Sequence, residues 1–343
     1  MPTVSLKSLP TPAGSSNAAP LLDSDVQERP HCCANESHPP LPADIGDDND
    51  GLNGKYVWLG GRGTAIEEDI ECYISWPTVP AKCVVVVCSD IFGPRTGRHA
   101  QICDALAADG FVACCPDLIG DSQARAKANL FSRWPVRKWQ NIFDLICCCK
   151  LHYFLRALPL AKPTDTVVMP RVQASLEWVA REHAERAARV PAGAPVEPPL
   201  SCCCVVGFCW GATIAARILA WETPPLPLLG GIGFHPSIEP NAAGKELLSS
   251  VARPFLLAPA GNDHAAMHPG GELAEILVSR FGHEVGGSLG GESGTRTPLL
   301  APFKKMLHGW MTRGPLEDAA IAAAYQDGLA LTTRFLRAVT TSI

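Results

Sequence analysis

The 343-residue chain has no excess of basic residues, because 29 Lys and Arg stand against 34 Asp and Glu and give a formal net charge of −5. Binding to a nucleic-acid backbone or an anionic membrane surface depends on such an excess, so we expect neither partner. A signal peptide is also missing, since residues 1–30 have no apolar core segment and carry Asp23, Asp25 and Glu28. These absences favour a cytoplasmic location, and organelle targeting by the N-terminal segment stays open as the alternative.

The 15 cysteines include no C-x-x-C pair. Many of them are adjacent in sequence, and neighbouring residues of a strand point to opposite faces, so they do not converge on one tetrahedral metal site. We therefore predict no metal and a reducing compartment, in which most cysteines pack as small buried hydrophobes.

A charge-free run covers Pro198–Ala216 and raises the question of a membrane helix. It contains Gly207 and Gly211, and its composition changes from Cys and Val to Ala and Ile in the middle. This change predicts a buried strand that turns into a helix, and no membrane span.

Short apolar runs alternate with amphipathic stretches from about residue 55 onward. The predicted strands are Ile70–Trp76 (half-buried), Cys83–Cys88, Phe111–Cys115, Ser201–Val206, Leu228–Phe234, Pro254–Ala258 and Phe303–Leu307. The predicted helices are Arg98–Asp109, Val172–Ala187, Ala212–Trp221, Glu272–Phe281 and a C-terminal helix with Ile321, Tyr325, Leu329, Leu336 and Val339 on one stripe. This rhythm predicts an α/β fold with a mostly parallel central sheet and helices on both faces.

Four segments lie outside this rhythm. Residues 1–50 are rich in Pro, Ser, Ala and Asp and are predicted to be a disordered tail before a single domain over 51–343. Asp121–Met169 is long enough to cover an active site, whereas Ala188–Leu200 and Glu284–Ala301 have the composition of surface loops.

The segment Gly207-Phe208-Cys209-Trp210-Gly211 carries the strongest chemical signal. Glycines two residues before and two after a central residue allow a sharp strand-to-helix turn, which raises that residue above the sheet. Cys209 occupies this position at a helix N-terminus, which favours the thiolate. The pattern therefore predicts a nucleophile, with the backbone N–H of Trp210 as one oxyanion donor.

A nucleophile of this kind needs a base and a residue that orients the base, and both follow it in chain order in this fold. Asp263 comes shortly after the apolar run Pro254–Ala258, and His308 directly follows Phe303–Leu307. His235 also ends a predicted strand and is the second choice as base, although it precedes Asp263. Cys209, Asp263 and His308 are the predicted triad.

The sequence resembles the dienelactone hydrolase family of α/β-hydrolases, especially its plant and fungal members, from about Cys32-Cys33 to the C-terminus. The motifs that carry the resemblance are Ser89-Asp90-Ile91-Phe92-Gly93, Cys115-Pro116-Asp117, Gly207-Phe208-Cys209-Trp210-Gly211, His235-Pro236-Ser237, Gly261-Asn262-Asp263 and His308-Gly309-Trp310-Met311-Thr312-Arg313-Gly314. The resemblance implies an α/β-hydrolase fold over residues 51–343 and a Cys-His-Asp triad that cleaves esters, typically lactones, without metal or organic cofactor.

The resemblance also implies further site residues. The N–H of Ile91 would be the second oxyanion donor. Asp90 stands where the bacterial members have a Glu that interacts with the resting thiol, and its alternative role is to cap a turn. Arg313 resembles the arginine that holds a substrate carboxylate, while an exposed cation at a helix start is the alternative. Arg95, Arg98 and the arginines of 121–139 are unranked alternatives for that carboxylate role.

The expected function is therefore hydrolysis of a lactone or small ester of the dienelactone class through a thioester on Cys209. A general carboxylesterase or thioesterase of the same fold is one alternative. A redox-responsive or binding protein with an inert Cys209 is another, and an intact triad discriminates against it. The expected partner is a small-molecule substrate, and a monomer is favoured.

Overall fold

The computed structural model describes residues 37–38, 51–59, 70–81, 83–120, 167–189, 198–285 and 297–341. Its centre is a seven-stranded sheet in the order β1-β2-β4-β3-β5-β6-β7. The strands are β1 (Lys55–Trp58), β2 (Glu71–Ser75), β3 (Cys83–Cys88), β4 (Val112–Pro116), β5 (Cys202–Phe208), β6 (Leu228–Phe234) and β7 (Phe255–Ala258). The pairs β1/β2 and β2/β4 are antiparallel, and the pairs β4/β3, β3/β5, β5/β6 and β6/β7 are parallel. The predicted mostly parallel sheet is confirmed.

Seven α-helices are found in the described part of the chain. They are α1 (His99–Ala108), α2 (Val168–Ala188), α3 (Trp210–Leu219), α4 (Ala242–Ser250), α5 (Glu272–Phe281), α6 (Trp310–Arg313) and α7 (Ala319–Thr340). A 3₁₀ turn covers Ala265–Met267, and a separate two-stranded antiparallel sheet joins β8 (Glu284–Val285) to β9 (Thr297–Pro298). None of these helices combines the length and apolar character that crossing a bilayer requires.

Each face of the large sheet supports its own hydrophobic core, because successive side chains of a strand point in opposite directions. On β3, Val84 and Val86 pack in the core that includes residues of α2, α3, α4 and α5. Val85 and Val87 pack in the opposite core, with residues of α1 and α7. The helices therefore cover both faces, as predicted, and central strands buried on both sides explain the continuous Val and Cys runs.

The ten cysteines that the structure describes are all buried and free of disulfide bonds. Most lie on strands β2 to β5, where a small apolar side chain fits between helix and sheet. No group of three or more His, Cys, Asp or Glu side chains suited to hold a metal ion occurs within the described ranges.

The prediction of a half-buried strand over Ile70–Trp76 is wrong in its exposure, because every residue of β2 is buried. Glu71 is a polar position that the alternation assigned to solvent. Its carboxylate instead accepts two hydrogen bonds from the Arg95 guanidinium, at 2.6 and 2.9 Å. A buried charge is tolerated when it is paired in this way.

The predicted strand Phe303–Leu307 is also wrong. Only Phe303 forms a bridge, with Ala260, and the chain then turns at Lys304 and Lys305. The Gly261 N–H donates to the Met306 carbonyl at 2.8 Å and holds this turn against the end of β7. His308 thus follows a turn that is fixed to the end of β7. This turn brings His308 to the edge of the sheet, as the predicted strand would have done.

Other boundaries changed. The helix predicted over Val172–Ala187 begins at Val168, so Val168 and Met169 are not part of the proposed covering loop, whose residues 121–166 lie outside the described residues. The helix α4 and the strand β1 were not predicted. Of the predicted tail, only Ser37 and His38 are among the described residues.

Candidate active site

Cys209 lies between β5 and α3 in a strained backbone conformation, with φ 56° and ψ −118°. Such a conformation costs a non-glycine residue of order 1–3 kcal/mol and occurs where function requires it. The Cys209 N–H donates to the Phe234 carbonyl at 3.1 Å, and the turn is thereby fixed to the end of β6. The predicted elbow is present.

Two glycines make this turn sterically possible. A Cβ atom on Gly207 would lie 2.2 Å from the carbonyl oxygen of Gly211. A Cβ on Gly211 would lie 2.2 Å from the Cys88 carbonyl oxygen and 2.4 Å from that of Ser89. Both contacts are with backbone that cannot move aside, so any side chain at either position would force the elbow apart.

The structure brings His308 and Asp263 together. His308 Nδ1 lies 2.6 Å from Asp263 Oδ1, and both side chains are buried. The second carboxylate oxygen of Asp263 accepts the Ala260 N–H at 2.7 Å, and the His308 backbone N–H donates to Asn262 Oδ1 at 2.7 Å. The carboxylate is thus fixed on one side by backbone and orients the imidazole on the other.

The other ring nitrogen of His308, Nε2, has no hydrogen-bond partner among the described residues, and the charge of Cys209 acts on this ring. Burial lowers the pKa of His308, but the charge of Cys209 and the hydrogen bond to Asp263 outweigh burial and raise this pKa to about 9. An imidazole with a raised pKa is a strong proton acceptor toward the neighbouring thiol. The structure thus brings the three predicted residues Cys209, His308 and Asp263 together.

Ser237 is a neighbour of the nucleophile that the sequence did not assign. Its Oγ lies 3.3 Å from Cys209 Sγ, and its backbone N–H donates to the Cys209 carbonyl at 3.0 Å. The Ser237 carbonyl accepts the Thr213 hydroxyl, so the residue is held from both sides. The hydroxyl can donate to the sulfur when the thiol loses its proton. The motif His235-Pro236-Ser237 was the available signal.

The two candidate oxyanion donors lie at neighbouring element ends. Ile91 follows the end of β3 and Trp210 is the first residue of α3. The Ile91 N–H donates to no other described residue. Because β3 and β5 are adjacent parallel strands, their carboxyl ends meet at one edge of the sheet.

Asp90 and Arg313 form a buried ion pair beside the nucleophile. Arg313 Nε lies 3.2 Å from Asp90 Oδ2, which also accepts the Thr312 hydroxyl at 3.1 Å. Burial raises the pKa of Asp90, the nearby Cys209 adds to the rise, and Arg313 opposes it. Asp90 Oδ1 accepts the Phe92 N–H at 3.1 Å, so the carboxylate also caps the turn.

The Arg313 side chain is not an exposed cation. It is buried, its guanidinium lies over the Phe92 ring at 4.7 Å, and Nη1 donates to the His38 carbonyl. Nη2 has no hydrogen-bond partner among the described residues. The buried guanidinium thus keeps an unpaired charged donor beside Asp90.

The other candidate arginines that the structure describes, Arg95 and Arg98, bind other groups of the protein. Arg95 is held by Glu71 and lies over the Tyr56 ring at 4.0 Å. Arg98 donates to the Gly314 carbonyl. The arginines of 121–139 lie outside the described residues.

His38 lies directly against the triad. Its backbone N–H donates to the His308 carbonyl at 3.0 Å, and its carbonyl accepts from Arg313. Burial and the charge of Arg313 lower the pKa of the His38 side chain. A residue from the N-terminal segment therefore contributes to the walls of the site, which the sequence did not indicate.

His235, the second choice as base, is buried next to His308, and its ring makes no hydrogen bond to the Asp263 carboxylate. The two imidazole rings meet edge to face, with centroids 4.9 Å apart. Asp263 contacts His308 and so favours the first choice.

A mostly parallel sheet with this strand order, whose central strand β5 ends in a strained Gly-x-Cys-x-Gly elbow facing a His-Asp pair, defines an α/β-hydrolase. The family model for the dienelactone hydrolase family matches residues 70–277, which is more than half of the chain. The chain belongs to the dienelactone hydrolase family, as the resemblance implied. The matched range includes Cys209 and Asp263, and His308 lies beyond its end.

The chain is similar to a carboxymethylenebutenolidase homolog of Xenopus tropicalis, with 30% identity over 105 residues. That match covers 29% of this chain and 39% of the relative's length. A dienelactone hydrolase structure from Anabaena variabilis aligns with 84% of this chain and 99% of its own, at 14% identity and a TM-score of 0.45. Esterase 2 of Thermogutta terrifontis, phosphorylated by paraoxon, aligns with 84% and 95% at 16% identity and a TM-score of 0.49.

Proposed function

We propose that the protein hydrolyses a lactone or small carboxylic ester through a thioester on Cys209. One observation carries the proposal: the 2.6 Å contact between His308 and Asp263 orients an imidazole whose pKa the charge of the elbow cysteine raises. This arrangement supports a nucleophilic acyl transfer. The name of the Xenopus relative and the family membership support a dienelactone-like, carboxymethylenebutenolide-type substrate.

In the first half-reaction His308 holds the proton that it shares with Cys209 while the sulfur attacks the carbonyl carbon. The backbone N–H groups of Ile91 and Trp210 hold the resulting oxyanion, and each donor of this kind contributes roughly 3 kcal/mol to the transition state. Collapse then breaks the ester bond, and His308 returns the proton to the leaving oxygen. In the second half-reaction His308 activates water, which releases the acid and restores the thiol. A thioester is reactive enough for this step, so an activated substrate such as an enol lactone suits the site.

Brief exposure of the full chain to a panel of lactones and esters, followed by intact-mass and peptide analysis, tests the proposal. We expect an acyl adduct on Cys209 and on no other cysteine, because Cys209 is the cysteine of the elbow, and its charge and the His308 imidazole act on each other. Adducts spread over several cysteines, or turnover without any adduct on Cys209 at early times, would contradict the thioester pathway. A panel that includes neutral esters also separates a lactone hydrolase from a general carboxylesterase.

We expect Arg313 to bind a carboxylate on the substrate through its Nη2 group, which has no hydrogen-bond partner among the described residues. Arg313→Lys keeps a positive charge beside Asp90 but loses the second donor of the guanidinium fork. Loss of one charged hydrogen bond corresponds to a KM about tenfold higher for a carboxylate-bearing lactone. For a neutral ester we expect a change of less than about threefold in the same assay. Equal changes for both substrates would remove the carboxylate role and leave Arg313 as a structural partner of Asp90.

A further inference from the structure

His235 is a buried imidazole that the two half-reactions do not use. It is 0% exposed, and neither Nδ1 nor Nε2 has a hydrogen-bond partner within the described ranges. Its φ of 34° is in the left-handed region, where a non-glycine residue is strained. Each unpaired buried polar group costs about 1–3 kcal/mol. Strained residues cluster at active sites, and buried polar groups without a protein partner commonly bind water.

The position of His235 is set by the same backbone contacts that set the nucleophile. Its N–H donates to the Ala258 carbonyl at 2.9 Å. The residue before it, Phe234, accepts the Cys209 N–H, and Ser237 donates to the Cys209 carbonyl. His235 therefore belongs to the turn that surrounds the elbow. The centroid of its ring lies 4.9 Å from the centroid of the His308 ring.

The surroundings of His235 keep its ring uncharged. Burial lowers its pKa well below the ordinary value, and the positive charges of His308 and Arg313 lower it further. No described carboxylate contacts the ring, because Asp263 is bound to His308. A neutral imidazole offers one N–H donor and one nitrogen acceptor, so the suited ligand is itself uncharged and able both to donate and to accept. Water has this chemistry, and buried water commonly satisfies such groups.

We propose that His235 binds the water that hydrolyses the thioester, an inference that rests on the function proposed above. His308 Nε2 and both nitrogens of His235 are buried without a hydrogen-bond partner in the described part of the chain, and the two rings are in contact, so a water at their edges would satisfy one nitrogen of each ring. The water oxygen attacks the thioester carbonyl carbon while its proton moves to His308. The carbon–sulfur bond then breaks, its electron pair leaves on Cys209 Sγ, and the proton returns from His308 to the sulfur. His235 holds the water in line for attack and exchanges no net proton.

Stopped-flow hydrolysis of p-nitrophenyl acetate separates the two half-reactions, with acylation seen as a burst and deacylation as the steady state. His235→Phe keeps an aromatic ring against Phe208 and His308 but removes both nitrogens. We expect a burst rate within about twofold of the wild type and a steady-state rate about tenfold lower, the loss of one well-placed hydrogen bond. The acetyl adduct on Cys209 should accumulate in this variant.

His235→Gln and His235→Met have similar side-chain volumes, but only the Gln side chain forms strong hydrogen bonds. This pair tests the same proposal if the His235→Phe variant does not fold. We expect His235→Gln to deacylate faster than His235→Met. Equal deacylation in this pair, or an unchanged steady state in His235→Phe, would overturn the proposal. Equal loss in burst and steady state would also overturn it, because His235 would then act by positioning His308. Absence of any acetyl adduct in the wild type would instead reject the proposed function itself.

Discussion

Replacement of Cys209 by Ala should lower kcat/KM for a chromogenic ester by at least about a thousandfold, the scale of loss when a nucleophile is removed from a triad. Alanine has no atom that can attack the carbonyl, so neither the oxyanion nor the thioester can form. Water acting directly, with the oxyanion donors still present, accounts for the residual rate. Steady-state assays together with intact mass would measure both the lost turnover and the lost acyl adduct.

Cys103→Ala is the matched control for this variant. Cys103 is also fully buried, on α1 in the core with Val85 and Leu106, and contacts none of the triad. We expect this control to lose some thermal stability through a small cavity while its kcat stays within about twofold of the wild type. Hydrolysis by purified Cys209→Ala at a wild-type rate would refute the cysteine nucleophile outright.

His308→Ala should remove both half-reactions and lower turnover by about a thousandfold or more, because one imidazole serves as base in each. Below about pH 9 the raised pKa keeps the proton shared between Cys209 and His308 on the imidazole. For an alkyl ester, whose leaving oxygen needs that proton, kcat/KM of the wild type should fall as the pH rises through about 9. A pH–rate profile for this substrate measures the limb.

His283→Ala is the control for a lost imidazole, since the His283 side chain is exposed. It should leave both the rate and the pH limb unchanged. An upper limb near pH 9 that survives in the residual activity of His308→Ala would show that another group carries the proton. Asp263→Asn keeps the shape of the orienting residue but not its charge, and should move the limb toward lower pH, because the Asp263 carboxylate helps to raise the pKa of His308.

The proximity of the three residues of the proposed triad could be predicted because each follows an element whose position the sequence pattern indicates. Gly207 is required by its contact with Gly211, two residues beyond Cys209, and although Gly211 is required by the distant Cys88 and Ser89 carbonyls, the spacing of the two glycines around Cys209 can be read locally. Asp263 follows β7 closely, and the parallel sheet brings the ends of β5 and β7 to the same edge. Chain order then singled out His308, even though the strand expected before it is a turn.

What the sequence did not reveal depends on contacts between distant segments. The pairing of Asp90 with Arg313 joins the loop after β3 to α6, and the contact of His38 with His308 joins the N-terminal segment to the turn before that helix. Nothing near Glu71 marks it as buried, because its partner Arg95 lies in a loop after a different strand. Side-chain partners of this kind follow from the assembled fold and not from periodicity.

The close packing of Gly211 on the Cys88 and Ser89 carbonyls holds the turn at Cys209 against the end of β3. The proposed nucleophile and the proposed oxyanion donors therefore belong to one rigid unit. The chain that leaves β3 presents Ile91, and the chain that leaves β5 presents Cys209 and Trp210, with no side chain between the two backbones to act as a spacer. In the proposed mechanism this contact fixes the distance between the attacking sulfur and the oxyanion donors. We therefore expect substitutions that change substrate preference to lie outside Gly207 and Gly211.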